Sequence, residues 1–141
     1  MATDSFTPPF EVIDHTADWA LRVHGQDMVG LLANAALGMA TLLVEDLHEV
    51  PLNEVRHLEL DAFDAETLLV DWLTELAYWA ETELLVFHKF DLHSLSPTHV
   101  KATVHGSRVA QLENHIKAVT YHNLKIIESD AGLTATVVFD V

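Results

Sequence analysis

The sequence predicts an α+β fold, a two-layer α/β sandwich in which two main helices pack on a mainly antiparallel sheet. Three observations predict it. Two stretches repeat apolar residues at helical spacing, and several others alternate apolar and polar residues as half-buried strands do. The two patterns succeed one another as β-β-α-β-α and then four strands. With 141 residues, half of them apolar, the chain can bury a core of its own, and it shows no internal repeat or low-complexity tract. Residues 1–141 are therefore read as a single domain.

After a short proline-containing lead, "FEVID" and "WALRVHG" read as two strands of a hairpin-like entry, the second ended by Gly25. Asp27 is placed to cap a first helix whose apolar positions are Met28, Leu31, Leu32, Ala35, Ala36, Met39, Leu42 and Leu43, with few charges among them. This predicts a largely buried helix. A loop through "EDLHEVP" leads to the alternating strand "EVRHLEL". Asp64 then caps a second helix running to about Glu83, with Leu68, Leu69, Trp72, Leu73, Leu76, Trp79 and Ala80 as its stripe. The remainder reads as the strands "LVFHKFDLHSL", "THVKATVHG", "HIKAVTYHNLKIIES" and "LTATVVFDV", the last two joined by the hairpin-loop signal "ESDAGLT".

Charge excludes several functions. There are 22 Asp and Glu against 7 Lys and Arg, a formal net charge of −15, so bare phosphate backbones should repel the chain. A basic protein partner, a bound cation or adaptation to high salt fits better. Cysteine is absent, which removes disulfides, thiolate metal sites and cysteine nucleophiles. The start "MATDSFTPPF" has neither the basic nor the apolar region of a secretory signal, and no apolar run reaches the roughly 18 residues that span a bilayer. No membrane association is expected, and the cytoplasm is the default location. The phosphate-loop, dinucleotide, zincin and nucleophile-elbow motifs are all missing, so a self-sufficient nucleotide-using enzyme is not expected.

Chemistry falls to the carboxylates. "DHTADW" sets Asp14, His15 and Asp18 between the first two strands, where Asp and Thr also make good turn residues. Asp140 is the penultimate residue, on the more polar face of the last strand, and needs solvent or a partner there. On a helical wheel Glu75 falls near the line of Leu68, Trp72 and Trp79, at the edge of the apolar stripe. It is expected to be half-buried, with its charge compensated, its pKa raised by desolvation, or its carboxylate reaching to water. If Asp18, Glu75 and Asp140 converge, they form an all-oxygen site suited to Ca²⁺, Mg²⁺ or Mn²⁺. His15 could add an imidazole that Mn²⁺ tolerates, or could serve only as a hydrogen-bonding turn residue. Lys117, in "KAVTYHNL", could pair with such a cluster, reach for an anionic ligand or face outward. Strand alternation sets His122 on the opposite face from Lys117 and Tyr121.

Taken together, "FEVIDHTADWALRVHG", "LLVDWLTELAY", "IKAVTYHNLKI" and the terminal "VVFDV" resemble the archease family over essentially the whole chain. The resemblance implies a small acidic α/β sandwich that acts as a non-enzymatic activator of the GTP-dependent tRNA-splicing RNA ligase. That ligase joins RNA 2',3'-cyclic-phosphate or 3'-phosphate ends to 5'-hydroxyl ends. The activator would speed guanylylation of the ligase's active-site histidine, support multiple turnover and broaden nucleotide use, meeting RNA only through the ligase. Carried over by motif, Asp18 and Asp140 are implied as metal-binding residues, and Glu75 and Lys117 match other functional positions. Asp14 and His15 belong to the motif without so definite a role. The stretch "GSRVAQLENH" is less basic than the family leads one to expect, so a phosphate- or partner-contacting loop is not expected there. Two other classes remain open on the residues alone: a metal-dependent phosphoester hydrolase, disfavoured by the lack of an evident base or nucleophile, and a chaperone-like binding module.

Overall fold

The computed structural model describes residues 7–14 and 18–141. Its elements are the strands β1 (Phe10–Asp14) and β2 (Asp18–Gly25), helix α1 (Met28–Leu43), a short 3₁₀ turn (Leu47–Glu49), strand β3 (Glu54–Asp61) and helix α2 (Ala65–Glu83). Five further strands complete the chain, β4 (Leu85–Ser96), β5 (His99–Arg108), β6 (Ala118–Thr120), β7 (Ile127–Ser129) and β8 (Gly132–Asp140). All described strand pairs are antiparallel. The α+β class is as predicted.

Two features differ from the sequence reading. The strands divide between two sheets, one of five strands in the order β1-β2-β8-β6 with β7 also on β8, and one of three in the order β3-β5-β4. The β4–β5 hairpin pairs onto β3, whereas β8 returns to β2, so the two sets never share an edge. The stretch read as one long strand, "HIKAVTYHNLKIIES", is two short ones. Asn123 takes the left-handed conformation at φ 51°, and the Leu124 N–H closes a turn on the Tyr121 carbonyl at 3.0 Å. Asparagine tolerates that conformation better than most residues. Past the turn, the Ile126 N–H donates to the Glu66 carboxylate at 3.0 Å, drawing the segment toward the start of α2.

The helices form where the spacing places them, and each begins on its predicted cap. The Asp27 carboxylate accepts from the Gly30 N–H at 2.9 Å, and that of Asp64 from the Thr67 N–H at 2.8 Å. Hydrogen bonding from Thr67 holds the Asp64 carboxyl below its ordinary pKa. Every predicted stripe residue is buried except Met28 and Trp79, which are partly so. α1 packs on β2 and β4 and α2 on β4, β6 and β3, so each helix touches both sheets. Between them the core gathers Leu21, Leu32, Met39, Trp72, Leu73 and Phe139, all nearly or fully buried.

The C-terminal end of α1 is tied to the segment that leads into β6. The last carbonyls of a helix lack intrahelical donors. Here the Asn114 amide donates to the Leu42 carbonyl and the Glu113 N–H to that of Leu43, both at 2.7 Å. These bonds anchor the chain just ahead of Lys117.

In the three-stranded sheet, a methyl group on Gly106 would lie 1.9 Å from the Val86 carbonyl oxygen and 2.6 Å from the Phe87 Cα. Both are backbone atoms beside a register shift of β4, so neither can step aside cheaply. Gly106→Ala is expected to cost about 3 kcal/mol or more in chemical denaturation.

At the end of α2, Glu83 accepts both guanidinium arms of Arg56 at 2.9 and 3.1 Å and one from Arg108 at 3.2 Å, while Arg56 lies over the Trp79 ring. The Arg56 hydrogen bonds hold the Glu83 carboxyl below its ordinary value of 4.5. A carboxyl lowered in the folded state stabilises the fold above its unfolded pKa, and that contribution disappears as pH falls through the folded value. The stability difference between wild type and Glu83→Gln, read from denaturation at stepped pH, should be constant near neutrality and shrink below about pH 4.5.

Candidate metal centre

Asp18 opens β2 and Asp140 closes β8, and the two are direct cross-strand partners. Opposed residues of neighbouring strands project to the same face, with Cβ atoms about 4.5–5.5 Å apart. The core-facing neighbours explain why the carboxylates point away from the helices. Trp19, Leu21 and Val23 stand opposite Phe139, Val137 and Ala135 and fill the inner face, which leaves Asp18 and Asp140 on the outer one. Asp18 is half-buried and Asp140 exposed. Two like charges in this position repel, and a cation between them reverses the sign.

Lys117 arrives from the other side. It lies just before β6 rather than within a strand, where the sequence reading places it, and its N–H donates to the Asp140 carbonyl at 2.7 Å. Next to it, Ala118 pairs with Asp140, so β8 is flanked at this end by Asp18 on one side and by Lys117 and Ala118 on the other. The Lys117 side chain is exposed and lines a cavity of about 390 Å³ with Thr74, Tyr78 and Glu81 of α2; among the described residues it forms no ion pair. Tyr121 and His122 sit in the turn after β6, so the alternation that set His122 apart from Lys117 does not apply.

Glu75 is half-buried on α2, as the wheel predicted, but it does not join the pair. Among the described residues no three His, Cys, Asp or Glu side chains converge in a metal-binding arrangement. Asp71, one turn earlier on the same helix, carries a carboxyl that burial pushes above its ordinary pKa. Asp14 ends β1 with its backbone paired to Trp19, and His15 lies outside the described residues.

The donor set fits a hard divalent cation that keeps part of its water. Mg²⁺ is typically held by one or two carboxylates with waters completing its shell, and Mn²⁺ accepts similar oxygen ligands. Ca²⁺ requires six to eight oxygens, which the carboxylate pair would share with water, main chain or a partner.

Comparison with known proteins agrees on one family. The family model described as the Archease protein family (MTH1598/TM1083) matches residues 10–141. A protein archease of Methanosarcina barkeri is 31% identical over 140 residues, covering 94% of this chain and 95% of the relative. One of Methanothermobacter thermautotrophicus is 32% identical over 138 residues, covering 94% and 98%. The solution structure of Methanobacterium thermoautotrophicum protein 1598 superimposes with a TM-score of 0.78 at 31% identity, covering 94% of this chain and 99% of that one. An archease from Thermotoga maritima, described as a possible chaperone, has the same fold with a TM-score of 0.64 at 23% identity, covering 99% and 100%. With the family model matched from β1 to the last residue and relatives above 30% identity along nearly their whole length, the chain belongs to the archease family.

Proposed function

We propose that this chain is a cytoplasmic, non-enzymatic activator of a GTP-dependent tRNA-splicing RNA ligase, and that it presents a divalent cation to the ligase through Asp18 and Asp140. The observation that supports the cation site is the direct cross-strand register of Asp18 with Asp140, beside the Lys117 peptide. Family membership supports the choice of partner.

The chemistry is consistent. Forming a guanylylated histidine places extra negative charge on GTP phosphates, and a divalent cation at that point supplies Lewis-acid stabilisation. The carboxylate pair would hold and position the ion. The Lys117 peptide meets Asp140, whereas its exposed side chain lies on the α2 side of the sheet, where it offers a point positive charge to a phosphate approaching that edge; Glu75 is the other matched position, on the same helix. A net charge of −15 would speed encounter with a basic nucleotide pocket while keeping the activator itself off RNA.

The test is multiple-turnover joining of RNA bearing a 2',3'-cyclic-phosphate end to a 5'-hydroxyl end, with the cognate ligase limiting. Adding this chain should carry the ligase past one product per enzyme. Unchanged turnover would overturn the proposal, and capture of many unfolded clients without enrichment of the ligase would favour a chaperone instead.

A further inference from the structure

We infer that the outer face of the three-stranded sheet carries a second cation site, chemically distinct from the carboxylate pair, in which His57 and His93 take a Zn²⁺-class transition-metal ion. The inference does not rest on the proposed ligase partnership.

Four imidazoles share this face. Strand alternation sends Val55, His57, Glu59 and Asp61 of β3 outward, opposite His105, Thr103, Lys101 and His99 of β5. His93 belongs to β4 and sits at a register shift between Leu92 and Ser94, where the extra residue re-aims a side chain. Two of the four already have carboxylate partners. His99 contacts Asp61 at 2.6 Å and Glu59 at 3.2 Å, and His105 contacts Asp91 at 3.0 Å.

His57 and His93 differ. They reach from opposite edges of the sheet to one central oxygen, the Thr103 hydroxyl, which lies 3.0 Å from His57 Nδ1 and 2.9 Å from His93 Nε2. Among the described residues neither has a carboxylate partner. A hydroxyl has one proton to give, so at least one of the two rings must turn an N–H toward it. An ion bound by both imidazoles takes the place of that shared contact.

Both side chains are exposed and line a depression of about 210 Å³ with Glu59, Lys101 and Thr103. Rotamer adjustment on an open surface costs little, and it would bring the rings to the metal–imidazole distance of about 2.0–2.1 Å. Among the described residues no third protein ligand converges, so water completes the shell. Lys101 is set against Glu59 in register and Asp91 stands opposite Thr103, so carboxylates flank the pair and favour a cation over an anion. Imidazole donors select Zn²⁺, Cu²⁺ or Ni²⁺, whereas the oxygen pair at Asp18 and Asp140 selects harder ions.

The probe is Zn²⁺ titrated into the full chain at pH 7, followed by calorimetry and by imidazole NMR resonances, with Mg²⁺ as the contrast. The His57 and His93 resonances should move with Zn²⁺ and stay still with Mg²⁺. His57→Ala and His93→Ala should each weaken binding at this site at least tenfold, while Asp18→Asn and Asp140→Asn leave it unchanged. Absence of Zn²⁺ binding, binding of equal strength in His57→Ala, or Zn²⁺ shifts confined to other histidines would each overturn the inference.

Discussion

Replacing Trp72 with alanine is expected to destabilise the fold by about 3–5 kcal/mol, a fall in Tm of roughly 10–20 °C for a chain of this size. Trp72 is fully buried at the centre of α2, meets the Phe90 ring edge-on with centroids 6.0 Å apart, and donates its indole N–H to the Leu32 carbonyl at 2.8 Å. That last bond is a direct tie between the two helices. The alanine variant loses the ring, leaves a cavity and breaks the tie together. Trp72→Phe keeps most of the volume and loses the hydrogen bond, so it should cost about 1–2 kcal/mol. Denaturant unfolding of the two variants against wild type separates the contributions. A Trp72→Ala unfolding free energy within about 0.5 kcal/mol of wild type would mean that the helices are held together elsewhere.

The second large effect has opposite signs in two conditions. In chelator, Asp18→Asn and Asp140→Asn should each hold or slightly raise Tm, because either change removes one of two facing like charges. With Mn²⁺ or Ca²⁺ added, wild type should gain stability with ion concentration, as any ligand of the folded state provides, and both variants should lose that gain. Thermal unfolding with and without the ion reads both halves. A metal-dependent rise in Tm that survives both substitutions would put the ion elsewhere.

Much of the fold is legible in the sequence because its signals are local. The apolar stripes from Leu31 to Leu43 and from Leu68 to Ala80, the caps Asp27 and Asp64 and the hairpin before Gly132 all depend on residues a few positions apart. The division into two sheets is not legible, since it turns on β8 pairing with β2 across nearly the whole chain. The same non-local pairing is what joins Asp18 to Asp140; neither strand alone carries a mark of it. For Glu75 the wheel gives burial correctly but carries no information on distance to another element. The break after β6 depends on one left-handed residue, Asn123, within a run of good strand formers. Alternation could have revealed His57, His99 and His105 on one face, whereas His93 joins them only through a register shift that no pattern predicts.

The role proposed for the Asp18–Asp140 pair is to serve the ligase. Its most direct test is the rate at which a cognate ligase becomes guanylylated on its histidine, with GTP and a divalent cation fixed and wild type, Asp18→Asn or Asp140→Asn added at equal concentration. Wild type should accelerate the step, and both variants, folded and with a Tm in chelator no lower than that of wild type, should give less than a tenth of that acceleration. Equal acceleration by all three would contradict that role.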